Sequence, residues 1–134
     1  MTKLADNKPP TVMLVDDNPE TLEATASFLR YEGFRVLAQA GPFGVTAQVG
    51  RERPDLVVLD VMMPGLSGDG LGKVIRESSF LPIVFFSAMP EEQLRDIAVR
   101  TSGATYVLKS EGISYLAEEI RRRLKLVPSK SARY

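Results

Sequence analysis

Five short apolar runs, at residues 12–15, 34–37, 56–59, 83–86 and 106–108, are separated by segments long enough to hold one helix each. Runs of this length bounded by polar and turn residues read as strands, and the intervening segments carry helical rather than alternating periodicity. Strict strand–helix alternation calls for a parallel sheet, because parallel neighbours can be joined only through a crossover. Four of the runs are continuously apolar, which predicts strands buried on both faces, whereas Arg35 interrupts the second run and marks an edge strand. The expected fold class is α/β: a five-stranded parallel sheet with helices on both faces. Right-handed crossovers restrict the strand order without selecting one.

The helices have their own signals. Asn18-Pro19-Glu20 combines a capping side chain, a proline suited to the first turn and an acidic residue. Leu22, Ala26 and Leu29 then share a face, and Gly33 can end the helix. Leu71, Val74 and Ile75 suggest a short helix after the third strand. Pro90-Glu91-Glu92 opens another, with Leu94, Ile97 and Ala98 inward and Gly103 as its stop. Ile113, Ala117, Ile120 and Leu124 follow helical spacing in the last, while residues 42–51, with two glycines and few apolar positions, give the faintest signal. Residues 1–10 read as a flexible N-terminal segment, 11–127 as one domain and 128–134 as a tail.

Composition narrows the chemistry. The 134 residues suit one domain. There is no cysteine and no histidine, which removes thiolate chemistry, histidine metal ligands, a histidine base and a phosphohistidine carrier. The 17 basic and 17 acidic residues cancel, so net charge gives no reason to expect a nucleic-acid or membrane partner. No stretch is apolar enough to span a membrane or serve as a signal-peptide core, and the expected location is cytoplasmic. Carboxylates, hydroxyls, lysines and backbone must carry any chemistry.

The position of the polar residues is informative. Asp16 and Asp17 follow the first strand directly, Asp60 the third, Ser87 the fourth and Lys109 the fifth. In an open parallel sheet the carboxyl ends of the strands share one edge, where ligands bind. Three carboxylates at one rim repel, and one lysine cannot balance them. Either some take up protons or a cation joins. An all-oxygen donor set favours a hard ion such as Mg2+, which can also hold phosphoryl oxygens. Taken singly, each residue has a plainer reading. The Asp pair and Asp60 suit turns or caps, Ser87 a cap for the helix at Pro90, and Lys109 a solvated charge. Their joint placement at strand ends favours the functional reading.

These residues resemble the receiver family of two-component signalling. The matching motifs are Leu14-Val15-Asp16-Asp17, the segment from Leu59-Asp60-Val61 through Met62-Met63-Pro64-Gly65, Ser87-Ala88, and Lys109. The likeness covers residues 11–126. It implies the flavodoxin-like strand order 2-1-3-4-5. It also implies that Asp60 accepts a phosphoryl group from a histidine kinase or phosphotransfer protein. Asp17 and Asp60 would bind Mg2+ directly with the Met62 carbonyl, and Asp16 through water. Lys109 would pair with the phosphoryl group, Ser87 would move to hydrogen-bond it, and Tyr106 would swing inward. The plainer reading of Tyr106 is a core aromatic. The face of the fourth helix, fifth strand and fifth helix would then change its affinity for an output protein or domain, from a monomer or weak dimer.

The chain departs from the family where proline, often after a cis bond, usually follows the lysine: Ser110 stands there. A cis bond before a non-proline residue costs about 2.5–4 kcal/mol, so a trans or strained bond is expected and the aim of Lys109 is open. Met62 and Met89 flank the line of attack by water and cannot position one, which implies a long-lived phosphoryl state. Two other functions compete. A phosphorylation-independent interaction module would be marked by loss of the acidic pair, acceptor or lysine, all present here. A Mg2+-dependent phosphohydrolase would need a second aspartate at position 62, which is Met. Residues 121–125, with three arginines and a lysine, read as the solvated basic end of the last helix. The remaining length holds no output domain, so the expectation is a stand-alone regulator or an excised receiver.

Overall fold

A computed structural model describes residues 8–126, and the expectations for residues 1–7 and for the 128–134 tail lie outside the described residues. The elements alternate as β1 (Thr11–Val15), α1 (Pro19–Tyr31), β2 (Arg35–Gln39), α2 (Val45–Glu52), β3 (Leu56–Leu59) and α3 (Gly68–Ser78). They continue as β4 (Ile83–Ser87), α4 (Glu91–Arg100), β5 (Ala104–Leu108), a 3-10 turn (Lys109–Glu111) and α5 (Ile113–Leu124). The strands form one parallel sheet in the order β2-β1-β3-β4-β5, the flavodoxin-like arrangement. No helix among the described residues is long and apolar enough to cross a membrane.

Successive strand residues point to opposite faces, and the sheet sorts its apolar side chains accordingly. Val12, Leu14, Leu56, Val58, Val84, Phe86 and Val107 pack with α1 and α5 residues on one side. Met13, Val15, Val57, Leu59, Ile83 and Phe85 pack with α2, α3 and α4 residues on the other. β1, β3 and β4 are buried at every position, as continuous apolar runs require. Fixed at the centre by two cores, these three strands give rigid ends from which a site can be built.

Four expectations are corrected. β2 is an edge strand, but it runs from Arg35 to Gln39, and Phe34 enters the core just before it. β5 is the other edge, and only Val107 of its residues is fully buried, so this run does not belong with the fully covered strands. In α3, Leu71 and Ile75 face inward while Val74 is exposed. The basic end of α5 is not all solvated. Arg121 is buried, donates through Nη1 to Glu32 Oε1 at 3.1 Å and through Nη2 to the Glu32 carbonyl at 2.7 Å, and lies 5.0 Å from the Phe34 ring centroid. It joins α5 to the end of α1, while Arg122 stays 65% exposed.

Candidate functional site

The carboxyl ends of β1 and β3 lie side by side, with Val15 opposite Leu59. The Asp60 amide donates to the Val15 carbonyl at 3.0 Å, and the Asp16 amide to the Gln39 carbonyl at 3.2 Å. Backbone pairing thus carries the two aspartates past the strand ends in register. One oxygen from each of Asp16, Asp17 and Asp60 lies within 4.8 Å of the others. Asp16 and Asp60 are buried, and Asp17 is more open to solvent. Lys109, from the turn after β5, reaches across with Nζ 2.8 Å from Asp16 Oδ2 and 3.1 Å from Asp60 Oδ2. The four residues read from the sequence are therefore brought together.

The other oxygens are used unequally. Asp16 Oδ1 accepts the Asn18 amide at 2.9 Å, and Asp60 Oδ1 accepts the Met62 amide at 3.1 Å. Asp16 and Asp60 are thereby each engaged at both oxygens, while Asp17 is the freest of the three carboxylates. Burial works to lower the Lys109 pKa, but its hydrogen bonds to Asp16 and Asp60 and their charges outweigh it. The ammonium is held above the ordinary lysine value and stays charged. One ammonium still faces three carboxylates. The excess negative charge, all on hard oxygen donors with one carboxylate open, fits a divalent cation of the Mg2+ class.

Ser87 and Tyr106 do not join this cluster. Ser87 ends β4, is completely buried, and its hydroxyl has no hydrogen-bond partner among the described residues. It caps no helix, since Pro90 occupies the N-cap of α4. Tyr106 is half-buried on the edge strand, and its hydroxyl donates to Glu91 Oε2 of α4 at 2.9 Å. No cis peptide bond occurs among the described residues, so Lys109–Ser110 is trans. The 3-10 turn that follows is held by the Gly112 amide on the Lys109 carbonyl at 3.1 Å. It is held also by the Leu108 amide on Glu111 Oε1 at 2.9 Å.

Sequence reasoning missed Gly68, the first residue of α3. A Cβ there would overlap the Asp60 carbonyl oxygen and stand 2.7 Å from the Asp60 carbonyl carbon and 2.8 Å from Val61 Cα. The Gly68 amide also donates to the Val61 carbonyl at 3.1 Å. The start of α3 therefore presses on the backbone that carries Asp60, and only glycine fits. Its backbone needs no left-handed torsion, so no turn motif points to it; the signal lies in close approach alone.

The response regulator receiver domain model matches residues 12–121. The probable transcriptional regulatory protein TcrX of Mycobacterium tuberculosis is 36% identical over 122 residues, covering 90% of this chain and 52% of that protein. The DNA-binding response regulator MtrA of Mycolicibacterium smegmatis is 32% identical over 114 residues, covering 85% of this chain and 50% of that protein. The chain spans about half the length of these curated relatives. Among solved structures, the BeF3-activated N-terminal receiver domain of Klebsiella pneumoniae RstA superposes with a TM-score of 0.80 at 26% identity, covering 86% of this chain and 98% of that one. The chemotaxis protein CheY4 of Vibrio cholerae, with a TM-score of 0.78 at 21% identity over 85% of this chain and 98% of that one, shares the fold. By its family match, its relatives and its strand order, this chain belongs to the receiver domains of two-component response regulators.

Proposed function

We propose that Asp60 is the phosphoacceptor of this receiver and that a histidine kinase or phosphotransfer protein is the donor. The observation that carries this is the meeting of Asp16, Asp17, Asp60 and Lys109 at one sheet edge. An Asp60 carboxylate oxygen attacks phosphorus as the bond from phosphorus to the donor imidazole nitrogen breaks. The electron pair leaves with that nitrogen, and an acyl phosphate remains on Asp60. Asp17 and Asp60, with the Met62 carbonyl and Asp16 through water, would hold Mg2+. When bound, the ion supplies positive charge for the phosphoryl oxygens. Lys109 already touches the Asp60 oxygen and neutralises the same developing charge. No histidine occurs in these 134 residues, so the donor imidazole would lie outside them.

A phosphoryl oxygen would give the Ser87 hydroxyl the acceptor it lacks, and movement of Ser87 would open space for Tyr106 to turn inward. Phosphorylation would then alter the face of α4, β5 and α5, where a groove is lined by Arg95, Val99, Tyr106, Tyr115 and Arg122. The output partner is proposed as a protein or domain docking there, in line with the transcriptional and DNA-binding descriptions of the mycobacterial relatives. A cytoplasmic location follows from the proposed kinase donor. Incubation with acetyl phosphate and Mg2+, read by intact mass, tests the reading. One added phosphate that Asp60→Asn abolishes supports it. No added phosphate points to an interaction module, and repeated turnover of the donor to a phosphohydrolase.

A further inference from the structure

The Tyr106 hydroxyl is committed to one acceptor, Glu91 Oε2, at 2.9 Å. That same oxygen lies 3.9 Å from Arg95 Nη2, one helical turn along α4. Arg95 is exposed, and the Tyr106 hydroxyl, followed by the Glu91 and Glu92 carboxylates, holds its pKa above the ordinary arginine value. The phenol and the Arg95 guanidinium thus share one carboxylate oxygen of Glu91. Glu91 is also the first residue of α4, joined to Ser87 by the short loop Ala88-Met89-Pro90. Among the described residues no side chain caps the helix, and of its two first-turn carboxylates Glu91 is turned to the strand. Ser87, buried and without a hydrogen-bond partner among the described residues, stands at the other end of that loop.

We propose that Glu91 is a positioning residue of the switch: by accepting the Tyr106 hydroxyl it holds the ring outward and sets how strongly a phosphoryl group on Asp60 must bind before the inward state is populated. This rests on the phosphoacceptor reading of Asp60 and on the inward swing of Tyr106. The Glu91 contact exists only while the ring is out, so it opposes the inward state by its own free energy. Removing it shifts the equilibrium inward. By linkage, any ligand that favours the inward state then binds more tightly by the same factor. A solvent-exposed hydrogen bond of this kind corresponds to about a 2- to 10-fold change in an equilibrium constant. The inward state should be the minor one in the unphosphorylated protein, which leaves room for that gain.

The experiment is titration of the full 134-residue chain with beryllium fluoride at saturating Mg2+, followed by calorimetry and by amide NMR shifts. Variants are Glu91→Ala, Glu91→Gln, Tyr106→Phe and the double variant Glu91→Ala with Tyr106→Phe. Glu91→Ala should tighten beryllium fluoride binding by about 2- to 10-fold. Glu91→Gln, whose amide oxygen can still accept the phenol, should lie between it and the parent. In the Tyr106→Phe background, Glu91→Ala should have no further effect, since the bond is already gone. An unchanged or weakened affinity in Glu91→Ala, or a gain of undiminished size in the Phe background, overturns the proposal while leaving Asp60 as acceptor. Failure of the parent chain to bind beryllium fluoride with Mg2+ overturns the acceptor reading and this inference together.

Discussion

Replacing Asp60 with asparagine should stabilise the protein when no divalent cation is available. The three carboxylate oxygens lie within 4.8 Å of one another. At that separation, and with an effective dielectric constant of about 20, each pair of charges repels by roughly 3.5 kcal/mol. Asp60 faces two such neighbours, against one attraction to Lys109 Nζ at 3.1 Å worth roughly 5 kcal/mol on the same footing. The asparagine side-chain oxygen can keep the bond from the Met62 amide, with Lys109 turning from the new NH2 donor while keeping Asp16, and a neutral amide is easier to bury than a carboxylate. Repulsion wins by about 1–2 kcal/mol, or a rise in unfolding midpoint of about 4–8 °C for a domain of this size. Thermal and urea unfolding in chelator measures it. Adding Mg2+ at about 100 times its dissociation constant should then stabilise the parent by about 2.7 kcal/mol, and the variant, short of one ligand, by clearly less. If Asp60→Asn is destabilised in chelator, the Lys109 pair outweighs the repulsion and this electrostatic reasoning fails. If Mg2+ leaves the parent midpoint unmoved, the three oxygens do not hold the ion.

The remaining predictions concern the supports of the site. Gly68→Ala places a methyl group against immobile backbone at Asp60 and Val61. It should cost about 2–3 kcal/mol in urea unfolding and slow phosphorylation by acetyl phosphate; wild-type values of both would contradict the packing argument. Arg121→Ala leaves Glu32 buried without its charge partner and should cost about 2–4 kcal/mol, whereas Arg122→Ala, at a largely exposed position, should cost less than about 0.5 kcal/mol. Equal effects of the two would show that the α5 arginines act alike as solvated charges. The phosphorylated state should be long-lived, because Met62 and Met89 offer no polar group to orient water. Loss of label from the parent at the speed of fast chemotaxis receivers would contradict this. Met62→Asn should shorten the half-life by on the order of 10-fold, less than the ~100-fold expected of a full general base.

Much of the fold was legible because three central strands are covered on both sides, and such strands leave uninterrupted apolar runs such as Leu56-Val57-Val58-Leu59. The candidate site residues stood out for a related reason: a strand that ends in the core must place its next polar residue at the rim. The misreadings sit at the edges. Tyr106 belongs to an apolar run, yet strand order, which periodicity does not encode, leaves it half-exposed. Arg121 was read by its charge, although its spacing from Ala117 and Leu124 places it on the inward stripe of α5, where Phe34 and Glu32 receive it. A charge run thus conceals one member whose helical phase differs from its neighbours'. Gly68 and Glu91 act through space on residues distant in sequence, and no local pattern marks them.

The trans bond at Lys109 shows which parts of such a site the backbone must fix and which a side chain can supply. An aspartate has a short arm, so Asp16 and Asp60 depend on strand register, secured by amide bonds to the Gln39 and Val15 carbonyls. Lysine carries its charge on a four-carbon stem, and only the position of Nζ matters to the carboxylates. A different loop after β5 can therefore deliver the same contact, provided the loop itself is held. Here Glu111 and Gly112 close a 3-10 turn on Leu108 and Lys109, and Nζ bridges Asp16 and Asp60 without a proline. Departures from a family motif are best tolerated where a long side chain lies between the altered backbone and the chemistry. They are least tolerated behind Asp60, where Gly68 leaves no slack.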